Sequence, residues 1–187
     1  MDDVTTEISD ERLISAALAG DDGAFTRLVT RYKRRVFGLA SRFARDSDEL
    51  EDLCQEAFIK AYDNLGTFRG EAPFEHWISR ITVHICYDAL RARRHEKQSR
   101  ALDDVLFEIG DDAEAARSKA RQARNLLKWA LDFLSPDERL VIILMELEEM
   151  TLREAAEMTG WSEANVKVRA YRARQALRRI LEKNDAR

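Results

Sequence analysis

The segment Thr151–Leu177, TLREAAEMTGWSEANVKVRAYRARQAL, decides the fold of the C-terminal part of the chain. Thr151 and Glu154 form a capping box, in which each side chain binds a free backbone N–H at the start of a helix. Gly160 then ends this short helix, and Ser162 caps the next one. A short helix, a tight turn at a glycine and a longer second helix form the layout of a helix-turn-helix.

The second helix of this segment has a basic outer face. We expect the small Ala156 where the two helices approach each other and Val166 in the crook between them. Between residues 162 and 181 there are six Arg or Lys residues and a single acid, Glu163. A solvated helical hairpin is the simpler interpretation, but this concentration of positive charge favours DNA binding, since Asn and Arg suit base edges and Lys and Arg bind phosphates. The candidate DNA contacts are Ser162, Asn165, Lys167, Arg169, Arg172 and Arg174.

The sequence as a whole predicts an all-α protein. It has 187 residues with only 7 Gly and 2 Pro, and helical spacing of apolar residues recurs through most of its length. Between residues 103 and 114 there are six acids and no base, and the periodicity fails. We therefore predict two small helical domains, 1–95 and 113–187, joined by a flexible acidic linker at 96–112.

The N-terminal domain is predicted to be a helical bundle. Asp21-Asp22 cap a long helix that reaches Phe43, and Ser47-Asp48 precede a second helix that Gly66 ends. A third helix begins near Trp77 and ends near Arg94. The C-terminal domain has a comparable start signal at Ser135-Pro136, because Pro at the first helical position lacks only an N–H that would be unpaired there.

The residue pattern argues against an enzyme. With three histidines and no P-loop, cofactor loop or metal-ligand cluster, we predict no catalytic residue, no cofactor and no metal. Cys54 and Cys86 lie in apolar helical patterns and are read as small buried residues. The acidic N-terminus does not resemble a signal peptide and no apolar run would span a bilayer, so we expect a cytoplasmic protein without membrane contact.

A second candidate site is the segment of residues 65–80, LGTFRGEAPFEHWISR, where aromatic and basic residues alternate. Such a loop can stack on unpaired bases and hold the backbone of a single strand. The alternative is structural, because Trp77 also has the spacing of a core residue relative to Ile78 and Ile81.

Taken together, these motifs resemble the extracytoplasmic-function sigma factors of bacterial RNA polymerase. The resemblance rests on DLCQEAF at 52–58, FRG at 68–70, WISRI at 77–81 and LSP at 134–136, followed by the helix-turn-helix, and it covers nearly the whole chain. It implies a non-enzymatic factor that binds core polymerase and directs initiation at specific promoters, with expected roles in stress response and control by an anti-sigma factor.

The resemblance also implies residue roles. Core-polymerase contacts, on the clamp helices of the largest subunit, would be Asp52, Leu53, Gln55 and Glu56. Minus-ten DNA would be held by Phe68, Arg69, Trp77, Arg80, His84, Arg91, Arg93 and Arg94. The C-terminal residues named above would bind the minus-thirty-five element, and the flap of the second subunit would be a further partner. His84 stands where some family members carry Asn, so no base preference is carried over.

Two other functions fit parts of the sequence. A response-regulator type of output module would bind duplex operators through the same C-terminal motif, without polymerase contacts. A helical adaptor that binds only protein would leave the basic face of the last helix unexplained. Comigration with core polymerase distinguishes the first of these from a sigma factor.

Overall fold

The computed structural model describes residues 8–99 and 115–185, and the side chains within 8–96 and 122–184. The described residues contain no strand, so the prediction of an all-α protein is confirmed. They divide into two compact units, with the division between Cys86 and Tyr87. The eight α-helices are α1 (Asp10–Leu18), α2 (Asp22–Ala40), α3 (Ser47–Asp63), α4 (Phe74–Ser99), α5 (Ala115–Leu131), α6 (Pro136–Ile142), α7 (Leu152–Thr159) and α8 (Glu163–Asp185).

The N-terminal unit packs α1, α2, α3 and the first half of α4 around an aliphatic and aromatic core. Its largest side chains that are almost wholly buried are Leu28, Val36, Leu39, Phe43, Leu65, Phe74, Ile78 and Val83. Burying one such side chain contributes roughly 1.5–3 kcal/mol relative to leaving it exposed. The two cysteines are free and buried in this unit, as predicted.

Helix ends in the N-terminal unit follow the predicted capping chemistry with small shifts. The side chain of Asp21 accepts a hydrogen bond from the backbone N–H of Ala24 at 3.2 Å. Asp46, rather than Ser47, caps α3, and its side chain accepts from the N–H of Glu49 at 2.9 Å. The predicted end of α3 at Gly66 is wrong by three residues, because the chain tightens into a 3-10 turn, Leu65–Thr67, after Asp63.

The C-terminal unit is held together by α6 and α8, with α7 against both α8 and the turn that follows α6. Its fully or almost fully buried residues include Leu140, Val141, Ile143, Leu144, Ala155, Val166, Ala170 and Ala173. The small alanines on α8 allow neighbouring helices to approach closely. The last turn of the α6 segment widens to a π-helical turn, Ile143–Leu147, before the chain reaches α7.

The predicted helix starts at Ser135 and Thr151 are confirmed, as is the predicted capping box at Thr151; the capping box at Ser135 was not predicted. Ser135 and Glu138 bind each other's backbone N–H groups at the start of α6, where Pro136 is the first helical residue. Thr151 and Glu154 do the same at the start of α7. These two boxes fix where the helices begin, and so fix the lengths of the connections before α6 and α7.

Two details differ from the sequence prediction. The buried alanine of α7 is Ala155, at 0% exposure, while Ala156 is partly exposed, because the inward stripe of this helix runs through Ala155 and Met158. In addition, α4 continues to Ser99, past the predicted domain end at residue 95. Residues 100–112 of the predicted linker lie outside the described residues.

Candidate nucleic-acid interface

The turn between α7 and α8 has the geometry of a helix-turn-helix. Gly160 adopts a φ of 75°, in the left-handed region that glycine occupies without strain, and its N–H donates to the carbonyl of Ala156 at 2.9 Å. The N–H of Asn165 donates to the Ser162 hydroxyl at 3.3 Å, which caps α8. Val166 is fully buried in the crook, as predicted. The turn therefore holds α8 against α7 along one stripe and leaves its other faces to solvent.

The predicted DNA contacts of α8 occupy two flanks of the helix. Because residues advance about 100° per position, the buried stripe through Val166, Ala170 and Ala173 separates them. One flank carries Ser162, Asn165, Arg169 and Arg172, and it borders a groove whose other wall is formed by Ser135, Asp137 and Glu138 at the start of α6. The other flank carries Lys167 and Arg174. All six residues are exposed except Arg169, which is partly buried.

Arg169 is held by three side chains of its own unit. Its Nε lies 2.9 Å from Oδ2 of Asp137, its guanidinium lies 4.3 Å from the ring centroid of Trp161, and it donates to Oδ1 of Asn165. Stacking on an aromatic face and a charge-assisted hydrogen bond both restrict the rotamers of an arginine. Arg169 is thus fixed at the edge of the groove.

Arg174 is also engaged within the unit. Its Nε and Nη2 lie 2.9 Å and 2.6 Å from Oε1 of Glu146. Both partners are about half exposed, so DNA phosphates could replace this carboxylate at modest cost. Arg172 and Lys167 make no ion pair with the residues that the structure describes, and their charges remain available on the surface.

The DLCQEAF motif lies on α3 and splits between surface and core. Asp52, Gln55 and Glu56 are exposed, and they share one side of the helix. Leu53 is only 4% exposed and packs in the core beside Cys54 and Ala57. The exposed trio can meet a partner surface, whereas the side chain of Leu53 supports the fold beneath it.

The aromatic residues around the FRG motif form one cluster. The Phe68 ring lies 5.5 Å from Phe74 and 5.6 Å from Trp77, in edge-to-face arrangements, and Phe74 lies 5.3 Å from Trp77. Phe74 is buried, while Phe68 and Trp77 are half-buried at the surface of the unit. Edge-to-face pairs of this kind add roughly 0.5–1.5 kcal/mol beyond area burial. Both interpretations of Trp77 therefore describe part of its environment, since it packs on the core and still shows an exposed portion.

The remaining predicted minus-ten residues lie around this cluster and along α4. Arg69 is exposed directly after Phe68, and Gly70 follows with a φ of 69°. Arg80 and His84 are exposed and share a face of α4 with Trp77. Farther along α4, Arg91 and Arg94 are exposed, while Arg93 is half-buried and donates from Nε to the carbonyl of Ala89 at 3.3 Å.

Sequence reasoning missed one cationic element and the partners of Arg169. From residue 23 to residue 45 there are seven Arg or Lys residues and no acid, a larger excess than on α8. A plain count of charges along the chain would have found it. Asp137 and Trp161 carried no such signal, because they are distant from Arg169 in sequence or lie in the turn.

In the described ranges, no group of three or more His, Cys, Asp or Glu side chains could hold a metal ion. Burial raises the pKa of the Cys54 thiol to about 11, with the nearby charge of Glu51 adding to the effect, so this cysteine is a poor nucleophile near neutral pH. None of the described helices is long and apolar enough to cross a membrane.

Comparison with known proteins identifies two family regions in the chain. Residues 28–96 match Sigma-70 region 2, and residues 124–177 match Sigma-70 region 4. The first match covers the α3 motif and the aromatic loop, and the second covers the helix-turn-helix. A response-regulator output module is excluded by the first match, because it assigns the N-terminal unit to a sigma-factor region.

Proteins that are similar over most of their length support the same family. The RNA polymerase sigma-H factor of Pseudomonas aeruginosa is 32% identical over 95% of this chain and 96% of its own length. The ECF RNA polymerase sigma factor SigM of Mycobacterium tuberculosis is 31% identical over 94% of this chain and 86% of its own. The ECF RNA polymerase sigma-E factor of Escherichia coli K12 is 30% identical over 93% and 95%.

Solved structures show the same fold. CnrH, solved in complex with the cytosolic domain of CnrY, superposes with a TM-score of 0.61 at 26% identity, over 93% of this chain and 97% of that one. The sigma factor RpoE of Bartonella quintana, solved with the anti-sigma factor NepR, gives a TM-score of 0.59 at 24% identity, over 84% and 96%. Sigma-70 regions 2 and 4 bind core RNA polymerase and promoter DNA. The chain therefore belongs to the sigma-70 family as an extracytoplasmic-function RNA polymerase sigma factor, a transcription initiation factor and not an enzyme.

Proposed function

We propose that the two predicted domains have separate roles in promoter recognition. Residues 1–95 would dock on core polymerase and open the minus-ten element, residues 113–187 would read the minus-thirty-five element, and residues 96–112 would join them. The observation that carries this proposal is the geometry of α8, where a buried stripe fixes the helix and leaves Asn165, Arg169 and Arg172 together on a solvent-facing flank.

In the minus-thirty-five role, α8 would be the recognition helix in the major groove. Asn165 and Arg169 would contact base edges, since Asn pairs with adenine and Arg with guanine in bidentate geometry. Ser162, Lys167, Arg172 and Arg174 would hold phosphates on either side. The position of the two flanks supports this, because a groove has a phosphate backbone along each edge.

In the minus-ten role, the aromatic cluster would take up an unpaired base. Phe68 and Trp77 are half-buried side by side, and a base could stack on their exposed portions after the duplex opens. Arg69, Arg80 and His84 lie exposed around them. Farther along α4, the residues that would hold the DNA backbone are Arg91, Arg93 and Arg94. Opening costs a few kcal/mol, which these contacts would offset.

In the docking role, the exposed face of α3 would meet the clamp helices of the largest polymerase subunit. Asp52 and Glu56 offer carboxylates and Gln55 an amide, which suit a basic partner surface. Leu53 would act indirectly, by holding α3 on the core. The C-terminal unit would add a contact with the flap of the second subunit.

Control by an anti-sigma factor is part of the same proposal. CnrH, 26% identical and of the same fold, was solved with the cytosolic domain of CnrY. An equivalent partner that covers both units would block polymerase and DNA together, and its release would link transcription to stress. Because it would act on polymerase and promoter DNA, the protein would be cytoplasmic.

The test is transcription in vitro with core polymerase on a library of promoter sequences. We expect run-off products only when the chain is added, with enrichment of promoters that share two short elements at a fixed spacing. A set of active templates without a common upstream element would contradict a reading role for α8. No product from any template would contradict the function as a whole.

A further inference from the structure

The outer face of α8 carries an apolar residue that neither the fold nor the contacts proposed above use. Val168 is 48% exposed, in a helix whose other exposed side chains are mostly charged or polar. Valine is also a poorer helix former than Ala, Lys or Arg, because its branched side chain loses rotamer freedom in a helix. Core packing and helix formation therefore give no reason for a valine at this position.

Val168 lies opposite the core of its unit. At about 100° per residue, it is about 160° around the helix from Val166 and from Ala170, which form the buried stripe of α8. Asn165 precedes it by one turn and Arg172 follows it by one turn, about 60° and 40° around the helix. Val168 therefore occupies the middle of the solvent-facing side, between two residues that are proposed to contact DNA.

The side chain of Val168 borders the groove beside α6. Ala164, one turn earlier, borders the same groove and is exposed, and its side chain is a single methyl group. A β-branched side chain has one strongly preferred rotamer in a helix, so the two methyl groups of Val168 have a fixed direction before any partner binds. An apolar contact at this position would cost little side-chain entropy.

An apolar side chain in the major groove of DNA has one matching chemical group. The base edges there present hydrogen-bond donors and acceptors, and thymine alone adds a C5-methyl group. Against a polar edge, a valine would displace water without replacing its hydrogen bonds. Against thymine, the methyl groups of both partners would pack together and leave water.

Tyr171 is a second exposed residue with apolar surface on α8, at 65% exposure. It lies about 40° around the helix from Lys167, on the flank away from Asn165 and Arg169. Val168 instead borders the same groove as Asn165 and Arg169, the residues proposed to contact base edges. This placement favours Val168 for a base contact and makes Tyr171 a matched comparison.

We propose that Val168 selects thymine at one position of the minus-thirty-five element, by packing its methyl groups on the C5-methyl group of that base. This inference rests on the proposed minus-thirty-five role of α8 and adds the identity of one base. The contact is apolar, so its contribution should depend little on salt, in contrast to the phosphate contacts of Lys167 and Arg172.

The test uses holoenzyme assembled from core polymerase and the full chain, with duplex fragments that carry the minus-thirty-five element selected in the transcription library. Each thymine of the element, on either strand, is replaced singly by deoxyuridine, which lacks only the C5-methyl group. The variant is V168A, and the control is Y171A, which removes exposed apolar surface from the neighbouring position. Because Val168 is exposed and alanine is the better helix former, V168A should not destabilise the unit, and urea unfolding checks this.

For the wild type, we expect uracil at one position to weaken binding roughly fourfold, the effect of exposing one buried methyl group. V168A should bind the thymine element about as weakly and should not distinguish uracil from thymine at that position, whereas Y171A should keep the distinction.

The inference would be overturned if no single uracil changed the affinity of the wild type, or if V168A kept the full uracil effect. Loss of the effect in Y171A but not in V168A would also overturn it, since the thymine contact would then belong to Tyr171. Wild-type holoenzyme that binds the selected element no better than a scrambled one would instead contradict the proposed role of α8.

Discussion

Nε of Arg169 lies 2.9 Å from Oδ2 of Asp137, so the arginine expected to read a base is held by a carboxylate of its own unit. The two side chains are 26% and 38% exposed, and an ion pair with that exposure contributes little to stability, about 1 kcal/mol at most. The ion pair matters more for the orientation of the Arg169 side chain, because Asp137 and the stacked ring of Trp161 together hold its guanidinium in one direction. Asp137 thus orients Arg169 and, in the proposed complex with DNA, would compete with the bases for it.

Replacing Asp137 should separate these two effects. In D137N, Arg169 loses its ionic partner, so holoenzyme should bind scrambled duplex several-fold more tightly while its preference for the minus-thirty-five element falls. The ratio of the two affinities, measured at one fixed salt concentration, checks this. As a control, E182Q removes one acid from the pair Arg178–Glu182 farther along α8 and should leave the ratio unchanged. A higher preference in D137N would show that the carboxylate only masks Arg169.

Replacing Arg169 itself should reduce specific binding. R169A should cost about 1–3 kcal/mol of minus-thirty-five affinity if the guanidinium makes a bidentate base contact. R169K should not restore it, because an ammonium group cannot form the planar fork. Competition binding of holoenzyme to matched and mutated elements measures both variants. Equal losses on all sequences would identify Arg169 as a phosphate contact.

Charge reversal on the exposed face of α3 should weaken polymerase binding. E56K should lower core affinity, because Glu56 shares the exposed face of Asp52 and Gln55. Glu11 is an exposed acid on a different helix, α1. E11K therefore makes the same change of charge away from the docking face. Equal affinities for the two variants, measured with labelled core polymerase, would exclude this face.

Two glycine substitutions should act in opposite directions on stability. Gly160 has a φ of 75° at the helix-turn-helix, so G160A should destabilise the C-terminal unit by about 1–2 kcal/mol. Gly38 lies inside α2 with open space around it, and G38A should stabilise the N-terminal unit by roughly 0.5–1 kcal/mol. Urea unfolding followed by circular dichroism measures both. Stabilisation by G160A would contradict the left-handed turn.

Much of the fold was predictable because helix signals are local. The helix start at Ser135-Pro136, the capping box at Thr151 and the turn at Gly160 each depend on residues within a few positions, and the structure confirms all three. Helix ends were predicted less accurately, since α3 ends at Asp63, before a 3-10 turn that contains Gly66, and α4 continues past residue 95. Such ends depend on tertiary packing that a periodic pattern does not contain.

The candidate sites were predictable as residue types but not as contacts. Periodicity places residues on a face, and it cannot tell that Arg169 meets Asp137, 32 positions away on α6. The family motif likewise placed Leu53 among the polymerase contacts with its exposed neighbours. In the structure the side chain of Leu53 is buried in the core, one position along the helix from the exposed Asp52. The placement of Phe68 against Phe74 and Trp77 required the turn after α3, whose geometry no local signal specified.

The most direct test of the account is permanganate footprinting of promoter opening by the Phe68 variants. F68L keeps an apolar side chain against Phe74 and Trp77 but removes the ring on which a base would stack. We predict that F68L and F68A holoenzymes bind duplex promoter nearly as well as wild type, show fewer reactive thymines near the start site, and recover part of their activity on a pre-melted promoter. Normal thymine reactivity in both variants, or a loss of duplex binding as large as that of R169A, would contradict strand capture at this loop.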